Sequence, residues 1–444
     1  MAQSLRDEKY EAEGYLAWGW ASLRQGDNEL AHTCLQRSLT LARATGDRQV
    51  ETDALRNLGV VAYAQGQYEQ ATRQYKQSLL ICQEIVDRRI EGVVLNNLGI
   101  VAYVQGQYEQ ASRYYEQSLV ISQEVGDRRV EGATLTNLGA AVRNLGQHEQ
   151  AGRYYEQGLA ISQEIGDPAV ESSALINLGV IAQHLGRYEQ ASRYYEQSLT
   201  ISREIGNRTS EGLALGNLGD AARNLGQYEQ ADSYYAQSLA ITQEIGDRFG
   251  EGLTLCNLGY VALNLGQDEQ ASRYFEQSLT INQEIGDRSG EGFALTGLGD
   301  ALASSGQWLQ AEAALQAALT LRQELGDSAL LMESRTTLAR LYLAQTQPEQ
   351  ALATLADVLV YLEEGQTFDG TDYGLRNDLT CYRVLQANGD PRAGTILQSA
   401  YKQLQARAGK LESKTARHSF LGNVPWHREI IAAWRKATHT PPTH

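Results

Sequence analysis

The chain has 444 residues, far more than one hydrophobic core can organise, so it needs several domains or a stacked array. Its 38 basic residues against 54 acidic ones leave a net charge of −16, which nucleic-acid phosphates or an anionic leaflet would repel. No run approaches the ~20 apolar residues of a membrane span, and Met1 to Lys9 lacks the apolar stretch of a signal peptide. The expectation is a cytoplasmic protein with neither nucleic acid nor membrane as partner, whose scattered Cys34, Cys82, Cys256 and Cys381 are free packing thiols.

In chain order, residues 1–11 read as an N-terminal tail or the start of the first helix. Residues 12–366 then repeat at a shift of forty. That shift aligns Gly19, Gly59, Gly99 and onward to Gly299, a second glycine column from Gly26 to Gly306, and an alanine column from Ala31 to Ala351. The result is nine copies. Within a copy such as Asp127 to Gly166, apolar residues recur at helical spacing between two breakers, which predicts a helical hairpin. Gly106-Gln107 makes its inner turn, and Gly126-Asp127 ends one hairpin with a φ-permissive glycine and caps the next with aspartate. Gly166-Asp167-Pro168 puts proline at the first helical position, and Gly206-Asn207 supplies another good N-cap. Gly99 and Ala111 are read as small residues where the helices of a hairpin approach, with Leu95, Leu98, Tyr115 and Leu119 filling space and Arg113, Glu116 and Glu124 solvated.

After Gly365 the period is lost. Residues 367–437 read as a C-terminal helical capping segment and 438–444 as a disordered tail. A helix pair is predicted over Asp372 to Asn388 and Pro391 to Ala408, with a short helix at Ser413 to Leu421 and a last one after Val424-Pro425. Phe420, Trp426 and Trp434 are expected to cover the open end of the stack.

Stretches such as Leu95-Asn96-Asn97-Leu98-Gly99 and Gly106-Gln107-Tyr108-Glu109-Gln110-Ala111 resemble the tetratricopeptide repeat family across about four fifths of the chain. The unit is longer than the usual ~34 residues, similar to the long repeats of kinesin light chains and Pins-type scaffolds. The run from Ser419 to Ile430 resembles the end of tetratricopeptide arms on bacterial signal-transduction ATPases and transcriptional regulators. The resemblance implies an all-α, right-handed α-solenoid of tandem helical hairpins closed by the C-terminal helical cap.

At ~100° per residue, Leu95, Leu98, Gly99 and Ala102 turn into the packing, leaving Val93, Asn97, Ile100 and Val104 on the opposite arc, which lines the concave groove in the resembled family. The equivalent positions divide that groove into zones. The first is apolar and aromatic: Trp20, Val60, Tyr63, Ile100, Tyr103 and Val104. A polar zone follows, with Arg143, Asn144, Gln183, His184, Asp220, Arg223 and Asn224. Beyond it lie Tyr260, Asn264, Phe293, Asp300, Glu333 and Arg340. Groove columns vary between copies while outer ones stay nearly fixed, which favours a selected ligand surface.

One groove column is constant: Asn57, Asn97, Asn137, Asn177, Asn217 and Asn257. Mid-helix asparagine costs about 0.5 kcal/mol against alanine, so something compensates. A row of carboxamides can clamp the backbone of an extended peptide, the resembled family having ligand-contacting asparagines at the matching position, or it can bridge neighbouring hairpins.

No chemistry competes with this reading. There is no GxxxxGK[ST], GxSxG or HExxH motif, the six lysines flank no glycine-rich turn, and the seven histidines pair with no metal-ligand spacing. No catalytic residue, metal or cofactor is expected, and the absence of lysine from the groove disfavours a carboxylate clamp. The expected function is a protein-protein interaction scaffold taking a peptide or protein segment in the groove. The alternative is a sensor or regulatory arm of a bacterial signalling ATPase or transcriptional regulator.

Overall fold

A computed structural model describes residues 2–368, 371 and 373–439, and among them the chain is built of α-helices without a strand. The helices are α1 (Ala2–Arg24), α2 (Asn28–Thr45), α3 (Arg48–Ala64), α4 (Tyr68–Ile85), α5 (Arg88–Val104), α6 (Tyr108–Val125), α7 (Arg128–Asn144), α8 (His148–Ile165), α9 (Pro168–His184) and α10 (Tyr188–Glu204). They continue as α11 (Arg208–Asn224), α12 (Tyr228–Ile245), α13 (Arg248–Asn264), α14 (Asp268–Ile285), α15 (Arg288–Ser304), α16 (Trp308–Leu325), α17 (Ser328–Ala344), α18 (Pro348–Thr354) and α19 (Ala356–Glu363). Each odd-numbered helix up to α17 opens a hairpin, and α18 with α19 closes the ninth. Four helices follow: α20 (Gly374–Ala387), α21 (Ala393–Gly409), α22 (Lys414–Gly422) and α23 (Pro425–His439). Asp372 and the last five residues of the expected tail, 440–444, lie outside the described residues, while Thr438 belongs to α23.

The breakers act as their chemistry dictates. Gly126 adopts φ 70° and its N–H reaches the carbonyls of Ser122 and Gln123, while the Asp127 carboxylate accepts from the N–H of Val130 at 3.2 Å. Asn207 does the same for Ser210. Val86 is an exception: it holds the left-handed position (φ 60°) that glycine fills in most other copies.

Inside most hairpins a glycine of the opening helix makes room for a large side chain of the closing helix. A Cβ on Gly99 would lie 2.4 Å from the Tyr115 ring, and Gly59, Gly139, Gly219 and Gly259 stand the same way to Tyr75, Tyr155, Tyr235 and Phe275. In Gly19 and Gly299 the partner is a leucine, Leu35 or Leu315. A buried serine ties the helices together: Ser118 Oγ donates to the Gly92 carbonyl at 2.8 Å, as Ser38, Ser78, Ser238 and Ser278 do in their copies.

The outer columns are less solvated than their polarity implies. Arg88 holds both Glu91 (2.7 Å) and Glu124 (2.5 Å), and Gln83 reaches Glu91 from the preceding hairpin at 3.1 Å. Glu124 is therefore one rung of a ladder that recurs at Glu84, Glu164, Glu244, Glu284 and Glu324. The rungs are exposed and screened by solvent, so each adds little to stability.

Two compact units result, Met1–Ile181 and Ala182–His444. No described helix is long and apolar enough to cross a membrane, and no described group of three or more His, Cys, Asp and Glu is placed to hold a metal. The four cysteines are free and buried.

Candidate functional site

In the first unit the opening helices of the hairpins leave one face uncovered. Trp20 (47 % exposed) and Val104 (42 % exposed) stand out from it, with Arg24 over the Trp20 ring at 4.9 Å. Val60, Tyr63, Ile100 and Tyr103 are half-buried. The Tyr63 ring lies 5.8 Å from Tyr68, and the Tyr103 ring 5.5 Å from Tyr108, edge to face. Asn144 Nδ2 donates to the Tyr103 hydroxyl at 3.0 Å, which joins the third and fourth hairpins across this face. Arg143 is beside it, half-buried.

The asparagine column divides. Asn57 is buried, and Asn97, Asn137, Asn177, Asn217 and Asn257 are half-buried. Asn137 Nδ2 donates to Asn96 Oδ1 of the preceding hairpin (3.1 Å), and in the second unit Asn257 Nδ2 reaches Asp220 Oδ1 at 3.5 Å. Two amides thus bridge hairpins.

In the second unit the corresponding face is covered, and the chain covers it with its own C-terminal segment. Helix α20 lies on α17 and α18, where Cys381, Val384 and Leu385 join Leu338, Tyr342 and Val358 in one core, so α20 closes the end of the stack. The rest turns back along the hairpins. Glu189 accepts the backbone N–H groups of Glu412 (2.6 Å) and Ser413 (3.1 Å), which leave the turn before α22, and Arg193 pairs with the Glu412 carboxylate at 2.9 Å. One to three turns on, Ser419 Oγ donates to the Leu225 carbonyl (2.7 Å) and Asn423 Nδ2 to the Gly226 carbonyl (3.2 Å). Phe420 packs on Tyr188 and His427.

The predicted groove residues of this unit meet that segment. Arg223 is buried, donates to the Tyr373 hydroxyl at 2.8 Å and stands over its ring, and also pairs with Asp220 at 3.6 Å. Tyr260 is buried between Phe275 and Tyr373, with ring centroids 4.9 and 5.0 Å away. Asn224 and Asn264 bond back to the carbonyls of Asp220 and Tyr260. Gln183 accepts from the Tyr195 hydroxyl (3.3 Å), His184 is exposed, and Phe293 carries Arg322 over its ring at 4.6 Å. Asp300 is buried between Arg340 and Arg376. Burial alone would raise its pKa, but the two guanidiniums outweigh it and hold the carboxyl below its usual value.

The expectation that Phe420, Trp426 and Trp434 cover the end of the stack is therefore corrected. Trp426 sits edge-on to Tyr373 (5.6 Å) with Arg376 over its ring, and Trp434 stacks on Tyr401 of α21 at 5.0 Å. Wider openings of about 260 and 310 Å³ lie next to Trp426 and Ala416, while beside Arg223, Tyr228 and His427 the segment leaves about 30 Å³, room for about two waters. The His427 imidazole there is pushed down to about 4 by burial, against the pull of the Phe420 carbonyl 2.7 Å from Nδ1. Sequence reasoning missed Tyr188, Glu189, Arg193, Tyr228 and Tyr373, since nothing in a repeat column marks which copy a distant segment will choose.

A stack of two-helix repeats with one face of the opening helices available for contact is the class of architecture these observations define. The tetratricopeptide repeat family model matches residues 11–84, 90–164, 170–244, 210–284 and 290–363, and the chain belongs to that family. No curated protein matches the sequence. Among solved structures the chain is similar to a Signal Transduction ATPase with Numerous Domains from Pyrococcus horikoshii that has a tetratricopeptide repeat sensor (19 % identity, TM-score 0.59). The match covers 79 % of this chain and 52 % of that one, so this chain spans about half its length. It is also similar to the apo quorum sensor NprR from B. thuringiensis (16 % identity, 80 % and 99 % coverage, TM-score 0.59) and to apo RapI (13 %, 63 % and 100 %, TM-score 0.52). At these identities the likeness is one of fold.

Proposed function

We propose that the protein is a cytoplasmic, non-catalytic adaptor that holds a peptide or protein segment against the opening-helix face of its first unit. The observation that carries the reading is the contrast between the two units. The chain's own C-terminal segment is a protein ligand of this kind of face in the second unit, packed on Arg223 and Tyr260, whereas Tyr63, Tyr103 and Asn144 stand uncovered in the first. Half-exposed tyrosines, Tyr103 with its hydroxyl bonded to Asn144, are side chains that anchor protein interfaces at low entropic cost. In a pull-down from the source cells, the double variant Tyr63→Ala with Tyr103→Ala should lose the bound partner. Unchanged recovery of every partner would refute the reading.

A second reading, a sensor or regulatory arm for a signalling ATPase or transcription factor, is supported by two features. One is the similarity to a protein described as carrying a tetratricopeptide repeat sensor, of which this chain spans about half. The other is the similarity to a quorum sensor. Co-purification of a nucleotide-hydrolysing or DNA-binding protein with the chain would favour it over the adaptor.

A further inference from the structure

Two inner turns have the same sequence, Arg143-Asn144-Leu145-Gly146-Gln147 in the fourth hairpin and Arg223-Asn224-Leu225-Gly226-Gln227 in the sixth, and no other hairpin carries it. The sixth-hairpin turn is where the C-terminal segment docks, through the carbonyls of Leu225 and Gly226. The other docking groups recur at the same displacement of eighty residues: Glu189 and Arg193 correspond to Glu109 and Arg113, and Tyr188 to Tyr108.

The two sets differ in what covers them. Leu225 and Gly226 are buried, and a Cβ on Gly226 would lie 3.0 Å from Asn423 Cβ and 3.2 Å from the Ser419 carbonyl. Leu145 is half-exposed, Gly146, Glu109 and Arg113 are exposed, and a Cβ on Gly146 would meet nothing within 4 Å. The Gly146 carbonyl takes the His148 N–H at 3.0 Å and keeps a second lone pair.

We propose that Glu109, Arg113 and the Arg143-to-Gln147 turn form a second docking site for a helical segment of another protein with the chemistry of the chain's own α22. Such a segment presents backbone N–H groups to Glu109 and a carboxylate to Arg113. A hydroxyl and a carboxamide one helical turn apart meet the carbonyls of Leu145 and Gly146. A second copy of this chain is not the occupant. Each copy has one such segment, seated on its own fifth and sixth hairpins, so moving it to a neighbour empties one site to fill another and no stabilisation results. His148 and Val180 replace the aromatic Tyr228 and Tyr260 of the filled site, so the occupant carries no counterpart of Trp426.

The inference rests on the proposed protein-binding role of this face. The probe is a labelled synthetic peptide of residues 411–424, which carries the turn and α22 without Trp426, titrated into the full-length chain by fluorescence anisotropy. Saturable binding is expected, weakened about tenfold or more by Glu109→Lys with Arg113→Glu and unchanged within about twofold by Glu269→Lys with Arg273→Glu, the same column outside both sites, while Glu189→Lys with Arg193→Glu reports exchange with the resident segment. The peptide variant Ser419→Ala with Asn423→Ala should bind about tenfold more weakly. Absence of saturable binding would overturn the proposal. So would binding abolished only by the Glu189 and Arg193 changes, since the peptide would then merely exchange with the resident segment. Failure here alongside a positive Tyr63 and Tyr103 pull-down leaves the face a binding surface for different chemistry, whereas failure of both removes the broader reading.

Discussion

Replacing Gly226 and, separately, Gly146 by alanine isolates the free energy with which the C-terminal segment docks. Both glycines sit at positive φ, 72° and 77°, so each substitution carries the left-handed penalty of about 1–2 kcal/mol. Only Gly226→Ala adds a collision. Its Cβ would stand 3.0 Å from Asn423 Cβ, 3.1 Å from Val424 Cγ2 and 3.2 Å from the Ser419 carbonyl, and helix backbone cannot yield there without lifting α22. Lifting α22 breaks the bonds from Ser419 to Leu225 and from Asn423 to Gly226, at about 1 kcal/mol each. The difference between the variants is therefore about 2 kcal/mol, placed in the segment, or about thirtyfold in local opening. Hydrogen exchange read over residues 411–437 should rise by that order in Gly226→Ala and stay at the wild-type rate in Gly146→Ala. Equal exchange in the two variants would refute the docked segment.

Val86→Gly should stabilise the second hairpin by about 1 kcal/mol, because a β-branched residue leaves the left-handed region, and an unchanged or lowered melting temperature would contradict this. His427 is held neutral, its pKa pushed from 6.5 to about 4, so its contribution is complete above pH ~6.5 and lost as pH falls towards 4. By pH 5 about 2 kcal/mol should be gone from segment docking, and melting curves of wild type and His427→Gln that keep a constant separation from pH 7.5 to 5 would exclude it. Among the asparagines, Asn137→Ala should lower stability by about 1 kcal/mol through Asn96, while Asn177→Ala and Asn217→Ala should be neutral or slightly stabilising. If these amides clamp ligand backbone, the triple variant loses partner binding, and lower stability with normal affinity would eliminate the clamp.

The fold was legible because each hairpin is specified locally: Gly126 and Asp127 close and reopen the chain within three residues, and the Gly99 with Tyr115 pairing repeats at a fixed spacing. What escaped sequence reading are contacts between residues far apart in the chain. The column containing Glu124 looked solvated because its partner Arg88 is thirty-six residues earlier. Trp426 reads as a cap from its apolar helix face, yet it is placed by Tyr373 and Arg376, whose positions follow from the non-repeating linker after Gly365. The sequence carries one sign of the docking turn, the doubled Arg-Asn-Leu-Gly-Gln run, whose Arg and Asn the periodicity assigns to the polar groove zone without indicating what covers them.

The central claim, that the opening-helix face of the first unit holds a protein segment, is tested most directly by hydrogen exchange of the full-length chain with and without its captured partner. The account predicts added protection in α3, α5 and α7, around Tyr63, Tyr103 and Asn144, with α4 and α8 unaffected and any change in α6 confined to its first turns around Glu109 and Arg113. Protection confined to α4, α6 and α8 would contradict it.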